Sequence, residues 1–184
     1  TVSLAERQML TLREKNRATE SKLSELIAFG EENDQISEKV HRLAVGLIAA
    51  ETFQAVIHLL NFHLRDDFSV PHGALRLWDK PAGIEDLPEF AGVSEELQVF
   101  AETLARPYCG STAGFGPASW FGEHAPHIRS QALIALRNGG GTIGLVALGS
   151  EEGQRFYTDM GTLYLERIGE MVSAALARVT RSTL

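Results

Sequence analysis

At 184 residues, the chain is long enough for one well-buried core and too short for two ordinary domains beside a long helix. Its hydrophobic share of 44% and charged share of 22% are typical of a globular protein and argue against disorder. The formal net charge is −7 and no basic patch is visible, so neither nucleic acid nor an anionic membrane is an expected partner.

The N-terminal segment is predicted to form a coiled-coil helix. Ser3 and Glu6 have the spacing of a capping box, which marks the start of a helix. A repeat of about 3.5 residues places apolar side chains on one side of a helix, as a two-stranded coiled coil requires. The residues of this seam are Met9, Leu12, Asn16, Thr19, Leu23 and Leu26. We therefore expect a homodimer through this helix; the alternative is a single surface helix lying on its own domain.

The seam weakens at Gly30 and Asn33, because glycine inside a helix costs about 1 kcal/mol relative to alanine. We expect a kink, a fray or a break between about Phe29 and Asp34. After it, apolar residues from Ile36 to Leu64 predict a second helix that packs on the domain core. The predicted organisation is a coiled-coil helix in residues 1–34 and a globular domain in residues 35–184.

The globular domain is predicted to begin with a strand, Ala74–Trp78. Alternation places Leu75 and Leu77 on one face of this strand and Arg76 and Trp78 on the other.

A short helix, a short strand and a long loop are predicted to follow. Ser94 has the character of an N-cap for the helix, and Pro107–Gly110 is the strand. The loop, Ser111–Pro126, contains three aromatic residues, Phe115, Trp120 and Phe121; we call it the aromatic loop. Because exposing three aromatic rings is costly, we expect them to close over a pocket or to bury against the core.

The C-terminal part predicts a hairpin and a terminal helix. Strands Gln131–Arg137 and Thr142–Leu148 are joined by an Asn-Gly-Gly-Gly sequence, and glycine tolerates the positive φ of tight hairpin turns. Apolar residues at helical spacing then run from Met160 to Val179. Helices at both ends of a mostly antiparallel sheet indicate an α+β domain.

This order of elements resembles the GAF domain family. The most specific stretch is Ala132–Arg137, the glycine turn, Ile143–Ser150 and then Phe156 before the last helix. It is similar to the closing hairpin of that family, and with its N-terminal coil the whole chain looks like an uncharacterised bacterial group of GAF-like proteins. The resemblance implies a GAF-like central antiparallel sheet flanked by helices and preceded by the long coiled-coil helix.

GAF domains commonly hold a ligand between the sheet and the loops and short helices that cover one face. The matching regions here are the first strand, the strand around Tyr108 and the aromatic loop. The resemblance therefore implies the candidate ligand-binding residues Arg76, Trp78, Tyr108, Cys109, Phe115, Trp120 and Phe121. Two interpretations of the aromatic rings stay open: they line or cover a ligand cavity, or they plug it and leave a structural domain.

No catalytic, metal-binding or cofactor-binding motif is predicted. His124 and His127 lie in a loop around Pro126 without a further Cys or His pair, which favours surface histidines over a metal site. The glycines from Gly139 to Gly144 match a dinucleotide fingerprint in spacing, but they lead into a strand and not a helix. Cys109 is interpreted as a packed residue and not as a nucleophile.

The number of cysteines and the hydropathy of the chain indicate the cellular compartment of the protein. The only cysteine, Cys109, excludes an intramolecular disulfide and fits a reducing environment. The longest apolar run, Leu43 to Ala50, is far below the roughly 18 residues of a membrane span. Charges recur from Glu6 to Lys22, without the apolar stretch of a signal peptide. We expect a cytoplasmic protein.

The leading hypothesis is a dimeric, non-enzymatic sensory or regulatory module. It would bind an unidentified small molecule under the aromatic loop and signal through its terminal helices to an unidentified protein partner. The alternative is a protein-interaction or dimerisation scaffold that binds no ligand. A third hypothesis, a thiol-dependent enzyme, requires an accessible Cys109 with a base within hydrogen-bonding reach.

Overall fold

A computed structural model describes residues 3–112, 116–158 and 160–181 of the chain. It divides into two compact units, Thr1–Glu38 and Lys39–Leu184. The helices are α1 (Leu4–Ala49), α2 (Phe53–Asp66), α3 (Glu95–Thr103) and α4 (Leu163–Arg181); the strands are β1 (His72–Leu77), β2 (Tyr108–Ser111), β3 (Ser130–Asn138) and β4 (Gly141–Ser150). Within the described ranges, no helix has both the length and the apolarity needed to cross a membrane.

The N-terminal unit is helical from Leu4 onward. The predicted capping box is confirmed, because the Ser3 amide donates to Glu6 Oε2 over 2.9 Å and the Glu6 amide donates to Ser3 Oγ over 3.2 Å. Helix α1 passes through residues 29–34 without an interruption, so the expected break there is wrong. A glycine in a helix costs about 1 kcal/mol. Breaking the helix would forfeit several backbone hydrogen bonds of about 0.5–1.5 kcal/mol each, which is the larger loss.

The chain breaks its helix at Ala50–Thr52 instead, so the single helix expected from Ile36 to Leu64 is in fact two. Thr52 caps α2, and its side chain accepts a hydrogen bond from the Ala55 amide at 3.2 Å. At the end of α1, the Arg178 guanidinium of α4 donates to the Leu47 carbonyl at 2.8 Å and to the Ala50 carbonyl at 2.5 Å. These contacts satisfy carbonyl groups that a helix leaves unpaired at its C-terminus.

The α+β prediction is confirmed by a four-stranded sheet in the order β1-β4-β3-β2, in which every neighbouring pair is antiparallel. The predicted hairpin forms its centre. Gly139 and Gly140 have φ angles of 62° and 95°, which a two-residue hairpin turn between β3 and β4 requires. The predicted N-cap is also confirmed, because Ser94 Oγ accepts from the Leu97 amide at the start of α3.

Both faces of the sheet are buried. One face, which we call the helix face, packs against α2, α4 and the last turns of α1. Its sheet residues include Leu75, Leu77, Cys109, Ala132, Ile134, Leu136, Val146 and Leu148. On the opposite face, which we call the cover face, Leu133, Leu145 and Ala147 are 0% exposed under α3 and the segment Ala118–His127.

The aromatic loop is more regular than expected. Its second half forms a 3₁₀ segment, Ala118–His127, in which Gly122 has a φ of 58° and interrupts the helical turns. Phe121 and Ile128 anchor this segment to the sheet, with exposures of 7% and 4%. The expectation of a loop through Pro126 is therefore wrong for this half, because burial of these apolar side chains holds the backbone in short turns.

Gly169 allows α4 to approach β3 closely, and replacing it tests this packing. A Cβ atom at Gly169 would lie 2.5 Å from Cγ2 of Ile134, a β-branched side chain in the core. Overpacking costs about 1–3 kcal/mol, whereas alanine gains only about 1 kcal/mol over glycine in helix propensity. We expect Gly169→Ala to lower the midpoint of urea unfolding.

Gly30 supplies the matched control, because nothing lies within 4 Å of a Cβ placed there. Gly30→Ala is expected to leave the unfolding midpoint unchanged or slightly raised. A Gly169→Ala protein as stable as the parent would contradict the close approach of α4 to the sheet.

Candidate functional site

Strand register arranges the cover face in rows that run across the sheet. In one row, the paired residues include two glycines on either side of a glutamine: His72, Gly149, Gln131 and Gly110. The next row has larger apolar residues: Ala74, Ala147, Leu133 and Tyr108. A third row contains Arg76, Leu145 and Ala135. The glycine row is the last of these rows at one end of the sheet, and its two missing side chains leave a shallow depression there.

The structure brings five of the predicted site residues together on the cover face, four aromatic residues and Arg76. Trp78, Tyr108, Trp120 and Phe121 belong to one apolar cluster, in which Phe121 is buried and the other three are half-buried. Phe100 of α3 joins them, with its ring edge-on to Tyr108 at a centroid distance of 6.3 Å. Phe115, also a predicted site residue, lies outside the described part of the chain.

Two aromatic side chains occupy the depression above the glycine row. A Cβ atom at Gly149 would lie 3.0 Å from Phe121 Cζ, and one at Gly110 would lie 2.6 Å from Tyr108 Oη. The two rings therefore use the space that the missing side chains leave. Of the two interpretations left open by the sequence, the plugged arrangement describes this part of the face.

Arg76 is a charged residue in this otherwise apolar cover. Its guanidinium carbon lies 5.0 Å from the centre of the Trp120 ring, and Nη1 donates to the carbonyl of the neighbouring Leu75 at 2.9 Å. Among the described residues, no carboxylate forms an ion pair with it. Burial lowers the pKa of Arg76 from its ordinary value, and the charge of nearby Glu89 opposes that shift. A desolvated cation of this kind attracts an anionic group.

Cys109 does not share the site with the other predicted residues. Because side chains alternate along β2, Tyr108 points to the cover face and Cys109 to the helix face, where Cys109 is 5% exposed. Burial raises the pKa of the Cys109 thiol to about 11. No described histidine lies within hydrogen-bonding reach of its sulfur. The grouping of Cys109 with the cover-face residues is therefore corrected.

Gln131, which is not among the predicted site residues, is 0% exposed on the cover face. Its side chain lies against Gly116 of the aromatic loop, since a Cβ atom there would be 2.9 Å from Gln131 Nε2. The signal was present in the strand pattern, because Gln131 occupies the same alternating position as the inward-facing Leu133. A buried polar residue among apolar neighbours is more informative than another buried leucine.

A cavity of about 580 Å³ lies elsewhere, between α4, the hairpin end of β3 and the segment after α3. None of the predicted site residues lines it. Its charged wall includes Arg137, whose Nη2 donates to the Leu104 carbonyl at 2.6 Å and to the Ala101 carbonyl at 3.3 Å. Arg137 thus has a structural role at the C-terminal end of α3.

The fold is similar to the folds of several solved structures. The chain is similar to free methionine-R-sulfoxide reductase from Neisseria meningitidis in complex with its substrate, with 14% identity and a TM-score of 0.57 over 81% of this chain and 92% of that one. It is similar to the GAF domain of the potassium sensor histidine kinase KdpD from Escherichia coli, with 15% identity and a TM-score of 0.51 over 80% and 96%. It also resembles the GAF domain of Nlh2 from A. aeolicus in an inactive state, with 11% identity and a TM-score of 0.53 over 79% and 97%.

Sequence comparison identifies the family of the chain. A search of curated proteins finds no significant sequence match. The model of a family described as proteins of unknown function, DUF484, matches residues 1–181. The likeness to GAF domains confirms the GAF-like fold of the α+β unit. With the match covering nearly the whole chain, this protein belongs to the DUF484 family.

Proposed function

We propose that the chain is a non-enzymatic regulatory module that binds a small anionic molecule on the cover face and works as a dimer. Arg76 carries this proposal. It is a half-buried cation on an aromatic surface, and no described carboxylate forms an ion pair with it, although the charge of Glu89 lies nearby. A guanidinium held in this way offers forked donors for a carboxylate or a phosphate, while Trp78 and Trp120 offer flat apolar surfaces for a ring.

The fold supports the same proposal. GAF domains are often sensory and ligand-binding, and one of the similar solved structures is described as a complex with its substrate. A ligand on the cover face would have to displace rings that now fill it, because Leu133, Leu145 and Ala147 are already fully covered. Binding therefore repositions the aromatic cover, and the 3₁₀ segment Ala118–His127 is the element that moves.

A specific observation favours dimerisation. The seam residues Met9, Leu12, Leu23 and Leu26 are 54%, 63%, 56% and 67% exposed in the single chain. Ile27 and Phe29 extend this apolar surface, also at more than half exposure. Large apolar side chains repeated along one side of an exposed helix are covered in a coiled coil. The N-terminal helix is thus the proposed dimer contact and the route to a protein partner.

The alternative, a scaffold without a ligand, uses the same exposed seam. It is favoured by the rings that fill the cover face and predicts a coil-dependent protein partner whose binding is independent of metabolites. The two functions differ at Arg76, which a scaffold does not require.

Replacing Arg76 with glutamine tests the proposed ligand site. A hydrogen bond to a charged group contributes about 1.5–3 kcal/mol. Arg76→Gln should therefore weaken binding of an anionic ligand roughly 10- to 100-fold. The ligand is sought by native mass spectrometry of the purified protein and by thermal-shift measurements with nucleotides, organic acids and sugar phosphates. The melting temperature without ligand is measured as well, because the variant also loses the contact with Trp120 and the hydrogen bond to Leu75, and affinities are compared only on folded protein.

Arg167 is the matched control, since it is exposed on α4, on the opposite side of the sheet. Arg167→Gln should keep the affinity of the parent protein. If no compound binds, or if a bound anion is indifferent to Arg76→Gln, the proposed site is rejected and the scaffold remains.

The dimer contact is tested by two aspartates in the seam. Leu12→Asp together with Leu23→Asp places charges at positions that a coiled coil buries, and this should convert the dimer into a monomer. The molar mass is read by light scattering after size-exclusion chromatography. Ser21→Asp introduces the same side chain outside the seam and should leave the dimer intact. A parent protein that is itself monomeric would refute the contact.

Alkylation of Cys109 tests the absence of thiol chemistry. With a pKa of about 11, roughly one thiol in a thousand is ionised at pH 8, and the thiolate is the reactive form. Iodoacetamide should therefore label the native protein far more slowly than the urea-unfolded protein, whose thiol is exposed. Rapid labelling of the native protein would instead support the thiol-dependent enzyme.

A further inference from the structure

Three potential metal ligands meet at one edge of the cover face. They are His72 at the start of β1, His124 in the 3₁₀ segment and Glu151 directly after β4, and their ligand atoms all lie within 4.8 Å of one another. Nε2 of His72 is 3.3 Å from Oε1 of Glu151. The two histidine rings lie 4.6 Å apart between centroids.

The backbone fixes the positions of His72 and Glu151. His72 pairs with Gly149 in the ladder between β1 and β4, which brings the start of one strand beside the end of the other. The turn after β4 is held by hydrogen bonds from the Arg129 amide to the Ser150 carbonyl at 2.8 Å and from Ser130 Oγ to the Glu152 carbonyl at 2.6 Å. Glu151 therefore projects from a well-supported turn.

The packing of Phe121 brings His124 to the same place. Phe121 lies over Gly149, which is the residue paired with His72, and a Cβ atom at Gly149 would be 3.0 Å from its ring. His124 follows Phe121 by three residues in the same 3₁₀ segment. The chain turns at Gly122 between these two residues, and Ile128, whose Cγ2 would lie 3.1 Å from the same Cβ atom, holds the other end of the segment, so His124 lies between two residues that pack over Gly149.

We propose that His72, His124 and Glu151 bind a divalent transition metal ion of the zinc type. Two imidazoles and one carboxylate are a common three-residue ligand set for zinc, with a water molecule in the fourth position. Bonds of about 2.0–2.2 Å in a tetrahedron place ligand atoms about 3.3–3.6 Å apart. The separation of His72 and Glu151 already has this value. His124 and Glu151 are exposed, so small side-chain rotations bring the remaining ligand atom into range.

The ion would join the 3₁₀ segment to both strands of the β1–β4 ladder at one end of that ladder. The same segment carries Trp120, which lies over Arg76 farther along β1. Metal binding therefore restrains the cover of the sheet at its open edge. This inference does not require the proposed anionic ligand, because none of the three metal ligands takes part in that site.

The competing arrangement is an ion pair between His72 and Glu151 with a packed histidine ring beside it. It needs neither a metal nor a particular side chain at position 124. The two arrangements therefore predict different results for metal titration and for replacement of His124.

The experiment uses the full chain without a histidine tag, freed of metal by a chelator and dialysed. Titration with Zn²⁺ is followed by calorimetry, and Co²⁺ reports ligand geometry through its visible absorption. We expect one ion per chain and a tetrahedral Co²⁺ spectrum. His72→Ala, His124→Ala and Glu151→Gln should each weaken binding at least about tenfold, consistent with the loss of a direct ligand.

His127→Ala is the matched control, because His127 is exposed in the same segment and is not part of the group. It should bind both ions like the parent protein. Thermal unfolding in chelator identifies any variant that fails to fold, and the exposed positions of His124 and Glu151 keep the test informative if His72→Ala is unstable. Absence of one-to-one binding, or binding that persists in both His124→Ala and Glu151→Gln, would overturn the proposal.

Discussion

Burial of the central hairpin on both faces is the constraint on which the rest of the structure depends. Strands β3 and β4 place Ala132 and Leu148 on the helix face and Leu133 and Leu145 on the cover face, and none of these residues is more than 1% exposed. Fully burying one such leucine contributes about 1.5–3 kcal/mol. A sheet of this composition cannot leave either face to solvent, so the aromatic cover is part of the core and not an accessory lid.

This constraint shapes how the cover face can function. A ligand that simply removed the rings would expose the apolar floor, so it has to replace the area that it displaces. The half-buried Arg76 and Trp120 lie near the edge of the cover, where an incoming group can contact them before the central rings move. Binding shifts such an equilibrium only through a difference in affinity between the two arrangements of the cover.

Local signals explain why much of the fold was predictable. The glycine turn between β3 and β4, the Ser94 N-cap and the capping box at Ser3 each depend on a few neighbouring residues. The helix break was misplaced for the opposite reason. Gly30 is a weak helix former in a solvated helix, whereas the break at Ala50–Thr52 is stabilised by the Thr52 cap and also by Arg178, which is distant in sequence. Local propensity cannot register that contact.

The candidate sites also differ in whether neighbouring residues or residues distant in sequence determine them. Alternation along β2 already assigns Tyr108 and Cys109 to opposite faces, so their grouping in one pocket was an error that the sequence could have prevented. The meeting of His72, His124 and Glu151 has no comparable signal. These residues come from three separate parts of the chain and meet only because of strand register and the docking of Phe121.

The sheet also provides a physical connection between its two faces. Leu133 contacts the cover while the next residue, Ile134, packs against Gly169 of α4 on the helix face. From α4, Arg178 reaches the last carbonyls of α1.

Contiguity alone does not produce coupling, which requires an element with two arrangements. The rigid hairpin is a poor candidate for that element because it is buried on both faces. The 3₁₀ segment is a better one, since it is anchored at Phe121 and Ile128 but interrupted at Gly122 and exposed along much of its length. Under the proposed function, a signal from the cover face would therefore begin as a change in this segment and reach α4 as a small shift of the intact sheet.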